Sequence, residues 1–492
     1  MVEHLLWEQR VAGSNPAAPN QWLENQKSEI RMDEFINKNK TYLTIYKPPV
    51  IVILLSVLIF YIWTATDFVN PFTQKLYSKS PYNLLTDSIL KGKLYLSTDP
   101  PKELFGLKNP YDINERKLYN IKIHDVSFYG GKLFMYHGIS PVILLYAPFK
   151  ALTGLDMPDS IACTLFMFGS FLFSVILLMH IKEKYFQEIP EWMALLSFVV
   201  LGLCNIAPFM LRRPVQYEVA ISSGCFLITA AVYFLINYLS NKHDKYLLLC
   251  SLSLGFAIGA RPSLVFGSIL LIVFSVREIK EKILFCLIPF ISLMVLQFTY
   301  NYLRFNSVFE FGQTYAIGLV DYTKNIPFSV QNIFQNLQIY LTKPILFSHQ
   351  FPFIFLPLWG PDIVKNIWPY EKMAGILTSI PFTNIIFLCI IFLLVTNLRT
   401  YIKFPKKEIM ILIIPTVANF VTLLLFHYQT YRYLADFMTF LLIITIIFWF
   451  YTDLKLKSKP QLKNFLNLTV TILSTVSIVF SLSFSLIGYF GG

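Results

Sequence analysis

Long apolar stretches alternate with short polar segments along most of the chain. Eleven of them approach or reach the 17–25 apolar residues that a helix needs to cross the hydrocarbon core of a bilayer. The predicted spans are residues 49–64, 158–181, 192–211, 215–238, 246–260, 262–276, 283–303, 378–398, 408–427, 433–451 and 464–488. This pattern predicts an all-α polytopic membrane protein with about eleven transmembrane helices.

A further apolar segment, residues 138–153, is short and contains two prolines. If it does not span, every basic loop lies on the same side as the N-terminus, as the positive-inside rule requires; if it spans, those loops face outward. We therefore predict a re-entrant or interfacial segment and a cytoplasmic N-terminus. The basic clusters concerned are Lys182/Lys184, Lys242/Lys245, Arg277/Lys280/Lys282, Arg399/Lys403/Lys406/Lys407 and Lys455/Lys457/Lys459/Lys463.

Two loops on the other side each exceed seventy residues, which is too long for simple connectors in a compact bundle. They cover residues 65–137 and 304–377 and are rich in Tyr, Phe, Pro and Asn. We expect them to fold over the membrane surface with some amphipathic helix. The chain is thus divided into a transmembrane core at 49–303, which includes the first loop, the second loop at 304–377, and C-terminal helices at 378–492.

The first 31 residues do not read as a signal peptide, because they lack an apolar h-region. The stretch "RVAGSNPAAPN" resembles the product of reading through the 3′ arm of a transfer-RNA gene. We expect residues 1–31 to be an extension that precedes the natural start at Met32. A basic cytoplasmic leader would then cover residues 32–48.

Composition supports the membrane assignment and excludes two other classes. Of 492 residues, 55% are hydrophobic and 14% charged, against about 25% charged in a soluble domain. The net charge of +12 is distributed among short loops rather than one basic face, so nucleic-acid binding is not expected. All six cysteines lie inside apolar segments, which indicates packing and no disulfide framework.

Ionisable residues gather at the predicted outer ends of the spans. Charged groups at membrane depth are costly and usually face a cavity or one another. A single such group is better explained by a side chain that reaches the lipid headgroups, but five clusters on one side favour a shared site. The residues concerned are Asp67, Arg212, Arg213, Glu218, Arg261, Arg304, Glu310, His427, Arg432 and Asp436.

Arg261 is the most informative of these cations. Pro262 suits the first position of a helix, and a helix N-terminus beside an arginine forms an anion site. The alternative is an arginine that meets headgroups at an ordinary hairpin. "RRP" at residues 212–214 repeats the pattern, with Glu218 as an expected internal partner, and Arg432 and Asp436 are spaced to pair with each other on one helix face.

The stretch "IHDVSFYGGKLFMYHGISP", residues 123–141, concentrates reactive and aromatic groups in one loop. Asp125 precedes a predicted tight turn in which Gly130 and Gly131 allow close backbone approach. Lys132 follows, and Tyr129 is one of several nearby aromatic side chains. An acid, a lysine and aromatic rings suit a phosphorylated, sugar-bearing lipid, whereas the alternative is an ordinary loop turn.

From about residue 82 to 436, the chain resembles bacterial membrane proteins related to the GT-C glycosyltransferases, of the protein mannosyltransferase and lipid A aminoarabinose transferase type. The similarity is carried by ordered blocks rather than by one motif. These blocks are "YNLLTDSILKGKLYL" (82–96), "NPYDINE" (109–115), "HDVSFYGGKLFMYHGISPVILLYAPFKALTG" (124–154), "GARPS" (259–263), "YNYLRFNSVFEFGQTY" (300–315) and "RYLADF" (432–437).

The resemblance implies a GT-C-like bundle that uses a sugar on a polyprenyl-phosphate carrier and a lipid, glycan or protein acceptor. It also implies a multi-pass protein of the bacterial inner membrane whose active side is extracytoplasmic. GT-C first loops often place an acidic pair about three residues before a tyrosine, but this chain has Ser78, Lys79 and Ser80 before Tyr82. The catalytic base is therefore sought at Asp125, then Asp87, then Asp67.

The residues expected to bind substrate are Lys132, Tyr129, Arg213, Arg261, Arg304, Glu310, Arg432 and Asp436. Inverting transfer needs a carboxylate to take the proton of the acceptor and cations to stabilise the departing phosphate. The sequence contains no cluster with clear metal-ligand spacing, so a divalent metal is left open. The alternative function is a transporter or flippase of a lipid-linked saccharide, which would need polar groups near the midplane of several spans.

Overall fold

The computed structural model describes residues 47–72, 79–121, 123–279, 282–359, 371–396 and 403–487. The predicted extension at 1–31 and nearly all of the predicted leader lie outside these residues. The chain divides into two units, Met1–Val52 and Ile53–Gly492. All contacts presented below are within the second unit.

The described residues are largely helical, and every predicted span coincides with a helix. The α-helices are α1 (Pro48–Thr66), α2 (Pro81–Ile89), α3 (Ile113–Leu118), α4 (Ala147–Thr153), α5 (Asp159–Tyr185), α6 (Glu191–Leu203), α7 (Ala207–Leu211), α8 (Gln216–Asn241), α9 (Asp244–Ala260), α10 (Val265–Ile279), α11 (Ile283–Phe305), α12 (Ile333–Thr342), α13 (Ile376–Ser379), α14 (Ile385–Thr396), α15 (Lys406–Leu425), α16 (Ala435–Lys455) and α17 (Pro460–Ile487).

Eight helical segments in the described ranges are long and apolar enough to cross a membrane. They are Pro48–Thr66, Asp159–Tyr185, Glu191–Leu211, Gln216–Asn241, Ile283–Phe305, Lys406–Leu425, Tyr431–Ser458 and Pro460–Leu486. The spans predicted at 246–260, 262–276 and 378–398 fall on α9, α10 and α14, which have 17, 15 and 12 residues. The structure therefore supports a helical membrane protein, and eleven crossings stay a prediction.

The basic ends of neighbouring helices contact one another at one end of the bundle. Three ion pairs make these contacts: Lys184–Glu408 at 2.8 Å, Lys282–Asp244 at 2.5 Å and Lys463–Asp453 at 3.1 Å. They join the end of α5 to the start of α15, the start of α11 to the start of α9, and α16 to α17. The opposite ends of these helices are where the candidate site forms.

The short apolar segment predicted at 138–153 is a π-helical turn, Val142–Tyr146, continued by α4. Its 5 and 7 residues rise about 18 Å, well short of the ~30 Å hydrocarbon core. Its start packs directly against the end of α9, because a Cβ on Gly138 would overlap the backbone of Gly259. Both the length and this packing support the re-entrant or interfacial alternative.

A small antiparallel sheet joins the two long loops. Strands β1 (Val126–Tyr129) and β2 (Lys132–Phe134) form a hairpin in the first loop, and β3 (Ala316–Ile317) comes from the second. The strand order is β2-β1-β3. Gly130 and Gly131 have φ of +56° and +71°, and positive φ at both central positions is what a type I′ two-residue hairpin turn requires. The tight turn predicted from "YGGK" is thus present.

The second loop also closes over the end of α15. Asn336 in α12 donates through Nδ2 to the carbonyls of Leu423, Leu424 and Phe426 at 3.2, 2.9 and 2.7 Å. The end of a helix leaves its last carbonyls without the usual partner four residues on, and the carbonyl of Leu423 also accepts from the N–H of Phe426 at 3.3 Å. Four short strands complete this loop: β4 (Leu346–Phe347) pairs with β5 (Ile354–Phe355), and β6 (Leu358–Trp359) pairs with β7 (Glu371–Lys372).

Gly130→Ala should lower the free energy of unfolding by about 1 kcal/mol, because an L-residue is disfavoured in the left-handed region. Gly106→Ala is the matched control: a Cβ at either position meets nothing within 4 Å, and only Gly130 has positive φ. Thermal unfolding of the purified variants in detergent would measure the difference. Equal midpoints for the two variants would contradict the left-handed turn.

Candidate active site

A cavity with a volume of about 1020 Å³ lies at the end of the bundle opposite the basic clusters. The start of α8, the end of α9, the end of α15 and both long loops form its walls. The predicted site residues that line it are Asp125, Arg213, Arg261, Glu310 and Arg432. The cavity therefore brings together five residues that were predicted from widely separated parts of the sequence.

Asp125 lies immediately before β1, in a left-handed conformation with φ of +61°. Its backbone N–H donates to the carbonyl of Ile317 at 2.7 Å, so the sheet pairing fixes its position. Its Oδ2 lies 2.6 Å from Nδ1 of His124, and the two side chains are 24% and 56% exposed. Burial alone would raise the pKa of Asp125, but hydrogen bonds from His124 and Tyr217 outweigh it and lower this pKa.

Two aromatic side chains extend this arrangement into the cavity. Tyr217, at the start of α8, lies close enough to Asp125 to help lower the pKa of that carboxyl, and the Tyr217 ring lies 4.7 Å from the guanidinium of Arg432. His137 packs edge-on against Tyr217, with ring centroids 5.1 Å apart. Burial lowers the pKa of His137 to about 3, so its imidazole is neutral, and its Nε2 has no hydrogen-bond partner among the described residues.

Arg261 lies between α9 and a short 3₁₀ turn that has Pro262 at its first position, as predicted. Its Nη2 contacts Oδ2 of Asp436 at 3.0 Å, and Asp436 is only 1% exposed. Its Nε donates to Ser263 at 3.2 Å. The absence of a side chain at Gly224 makes room for this arginine, because a Cβ there would lie 3.3 Å from its stem. Asp436 thus pairs with Arg261, and the predicted pairing with Arg432 was wrong.

Arg432 is held between two carboxylates from different parts of the chain. Its Nη1 contacts Glu218 in α8 at 3.3 Å, and its Nη2 contacts Glu371 in β7 at 3.2 Å. Thr430 donates to the other oxygen of Glu371 at 3.1 Å. The prediction that Glu218 pairs within its own "RRP" segment is corrected by its contact with Arg432.

Arg261 and Arg432 are positioned by buried acids, and Arg261 still carries donors that a ligand can use. An arginine offers five N–H donors, whereas Asp436 and Ser263 together engage two nitrogens of Arg261. A buried guanidinium without a carboxylate would be strongly destabilised. The acids therefore fix where positive charge faces the cavity. This arrangement can bind an anion and place it near a half-buried carboxylate.

The other two candidate bases lie elsewhere. Asp87 belongs to an ion-pair cluster with Lys79, Lys150 and Asp156, in which Lys79 contacts both acids at 2.9 Å. Burial would raise the pKa of Asp87, but hydrogen bonds from Lys150 and Lys79 outweigh it and lower this pKa. Neither Asp87 nor Asp67 is among the described residues that line the cavity.

Asp67 is 58% exposed and contacts Arg212 at 2.5 Å. Arg212 and Arg213, although adjacent in sequence, therefore have different surroundings: only the second is among the described residues that line the cavity. This difference provides a matched pair of cations for experiment.

Three predicted substrate-binding residues have structural contacts outside the cavity. Lys132 lies 4.5 Å from the ring centroid of Tyr95, and Tyr129 packs on Tyr315 with centroids 4.6 Å apart. Arg304 is buried and donates to the carbonyl of Met135 at 2.7 Å. These residues support the hairpin and the end of α11.

Glu310 does line the cavity, and it also orders its own loop. Its Oε1 accepts from the backbone N–H of Gly312 at 2.5 Å and of Thr314 at 3.3 Å. Its part in the site is therefore to shape the wall between α11 and β3.

Three further residues line the cavity that were not predicted from the sequence as site residues: His137, Tyr217 and Glu371. His137 belongs to the singled-out stretch at 123–141, and Tyr217 directly precedes Glu218, so both had a signal in the sequence. Glu371 had none, because only the folded second loop brings it to Arg432. Within the described ranges, no group of three or more His, Cys, Asp and Glu side chains could hold a metal ion.

A double-mutant cycle should separate the observed pairing from the predicted one. Arg261→Gln and Asp436→Asn should show a coupling energy of about 0.5–3 kcal/mol in unfolding free energy, as residues in contact do. Arg432→Gln and Asp436→Asn should couple by less than about 0.5 kcal/mol. Unfolding titrations in detergent measure both cycles, and the reverse order of couplings would contradict the assignment.

Comparison with known proteins gives little further guidance. No protein-family model matches the chain, and no curated protein matches it. Among solved structures, it is similar to the crystal structure of the Archaeoglobus fulgidus oligosaccharyltransferase in the apo form, with 10% sequence identity and a TM-score of 0.41. The similarity covers 90% of this chain, which spans 56% of that one. The resemblance to the GT-C enzymes therefore stays a prediction.

Proposed function

We propose that the protein is an integral membrane glycosyltransferase. It moves a sugar from a polyprenyl-phosphate carrier to a lipid, glycan or protein acceptor on the extracytoplasmic side of the bacterial plasma membrane. The observation that carries the proposal is that Asp125 shares one cavity with Arg213, Arg261 and Arg432. A carboxylate and several cations in one enclosed space are what a transfer from a phosphate-linked donor needs.

The proposed chemistry assigns each group a role. The acceptor oxygen attacks the anomeric carbon of the sugar while the bond from that carbon to the phosphate oxygen breaks, and its electron pair stays on the phosphate. Asp125 takes the proton of the acceptor hydroxyl as general base. The arginines bind the phosphate and stabilise the charge that develops on it as the sugar leaves.

The apolar part of the cavity wall supports a lipid-linked donor. Phe266, Phe309 and Phe328 line the cavity and are 57%, 76% and 46% exposed. Phe266 begins an exposed apolar stripe along α10 that continues at Ile269, Leu270 and Val273. Because that stripe has the spacing of one face of a membrane helix, an isoprenoid chain could pass from the lipid to the cavity along it.

Asp125→Asn should reduce sugar transfer by about 10²–10⁴-fold, the usual contribution of a general base. The measurement uses protein in lipid nanodiscs with a panel of radiolabelled polyprenyl-phosphate sugars, and it follows sugar released to water or transferred to extracted membrane acceptors. Asp87→Asn and Asp67→Asn are the controls, because their carboxylates lie in separate ion pairs, and they should retain transfer.

Each result of that experiment has a distinct meaning. Transfer that survives in Asp125→Asn and is lost in Asp87→Asn would move the base to the lysine cluster. Saturable donor binding without turnover for any donor would favour the transporter or flippase over the transferase. Absence of both turnover and binding would contradict a polyprenyl-phosphate donor.

Arg213→Gln should raise the KM for the lipid-phosphate donor about tenfold or more, because a hydrogen bond to a charged group contributes about 1.5–3 kcal/mol. Arg212→Gln is the matched control, since Arg212 contacts Asp67 instead. Steady-state kinetics at varied donor concentration measure both variants. An equal rise in the two KM values would argue against phosphate binding by Arg213.

A further inference from the structure

We propose that His124 is a positioning residue for Asp125: it holds the carboxylate ionised and directed into the cavity. The inference deepens the proposed function and rests on it for the catalytic role of Asp125. It starts from the contact of 2.6 Å between Nδ1 of His124 and Oδ2 of Asp125.

The backbone fixes the geometry of this pair. Asp125 has φ of +61°, a conformation that is costly for a residue other than glycine and persists only where the surroundings impose it. The hydrogen bond from its N–H to Ile317 and the β1–β3 pairing supply that restraint. The sheet therefore fixes the backbone of Asp125, and the contact with His124 acts on the carboxylate that this backbone presents.

The two side chains differ in their access to water. Both residues line the cavity, but the side chain of Asp125 is 24% exposed and that of His124 is 56% exposed. The imidazole can therefore exchange protons with solvent while the carboxylate faces a substrate. This division distinguishes the pair from the buried acids Glu218 and Asp436, whose contacts are with arginines.

Charged and titratable groups surround the pair on every side. On the His124 side these are Arg116 and Arg213; on the Asp125 side they are Tyr136 and His137 after β2, Tyr217 in α8 and Tyr322 in the second loop. The hydrogen bond to Asp125 raises the pKa of His124 even though the two arginines oppose it. The pKa of Asp125 is lowered chiefly by the hydrogen bond from His124 and then by Tyr217, and both together outweigh the effect of burial.

The proposal predicts how activity depends on pH. A general base must be unprotonated, so the acid limb of kcat/KM follows the pKa of Asp125. Removing His124 removes a hydrogen bond that favours the carboxylate, so this pKa rises and the acid limb moves to higher pH. A shift of one pH unit means up to a tenfold loss of activity at acidic pH, with the variants converging at alkaline pH.

Two substitutions separate the hydrogen bond from the charge. His124→Gln keeps an N–H donor without the positive charge, whereas His124→Ala removes both. We expect the acid limb of kcat/KM to fall at the lowest pH in the wild type, at an intermediate pH in His124→Gln and at the highest pH in His124→Ala. His243→Ala is the control, because it removes a histidine near the opposite end of the bundle and should leave the limb in place.

A titration independent of activity completes the test. In protein labelled with ¹³C at its seven histidines, the signal lost in His124→Gln identifies His124. Its pKa should lie above the ordinary value of about 6.5 and fall in Asp125→Asn, but not in Asp67→Asn. This titration does not require detectable sugar transfer. It can therefore show whether His124 and Asp125 interact even if the proposed transferase function is wrong.

The two measurements test the contact between His124 and Asp125 and the positioning role of His124 separately. An ordinary pKa for His124 that Asp125→Asn does not change would overturn the pairing itself. A confirmed pairing with an unmoved acid limb in His124→Ala would overturn the positioning role. If the acid limb moves equally in His243→Ala, the shift does not depend on the contact between His124 and Asp125, and the positioning role would be overturned.

Discussion

The contact of Arg432 with Glu218 and Glu371 brings together three parts of the chain that are far apart in sequence. Glu218 belongs to a membrane helix, Arg432 to the turn before another, and Glu371 to the second long loop. Charges at this depth are tolerated only when they are paired, and removal of one partner leaves an uncompensated buried charge. The loop is therefore held over the ends of the helices, and the cavity below it keeps a fixed wall.

The sheet of β1, β2 and β3 provides the second restraint on the cavity. It joins the first loop to the second, so the position of Asp125 depends on a strand nearly two hundred residues away. A base on an isolated loop would sample many orientations, whereas catalysis requires the reacting groups to be held in place. The hairpin turn and the β1–β3 pairing together supply this rigidity.

The acids of the site are distinguished by their partners. Glu218, Glu371 and Asp436 contact arginines and are nearly inaccessible to water, so they fix positive charge at the cavity. Asp125 contacts a histidine that reaches solvent, and it is the carboxylate that lines the cavity with a titratable partner. Carboxylates in one site can thus have different roles because their environments differ. Asp87 differs from these acids in turn, because its carboxylate contacts two lysines, Lys79 and Lys150.

The sequence by itself determined the helical membrane architecture, the positions of the helices and the hairpin turn at Gly130–Gly131. These features depend on local patterns: apolar runs of sufficient length, and glycines where φ is positive. The sequence also predicted that Asp125, Arg213, Arg261 and Arg432 gather at one end of the helices, and all four line one cavity. It could not assign their partners, because an arginine at a helix end is compatible with several acids at the same depth.

Only the tertiary structure decided that Asp436 contacts Arg261, that Glu371 reaches Arg432, and that Asp87 and Asp67 lie apart from the cavity. These contacts depend on how the helices are arranged around one another and on how the second loop returns to the bundle. Such arrangements are set by packing, as where Gly138 meets Gly259 and where Gly224 leaves room for Arg261. Long-range packing of this kind leaves no periodic signal in the sequence, and it determined which charged residues share the site.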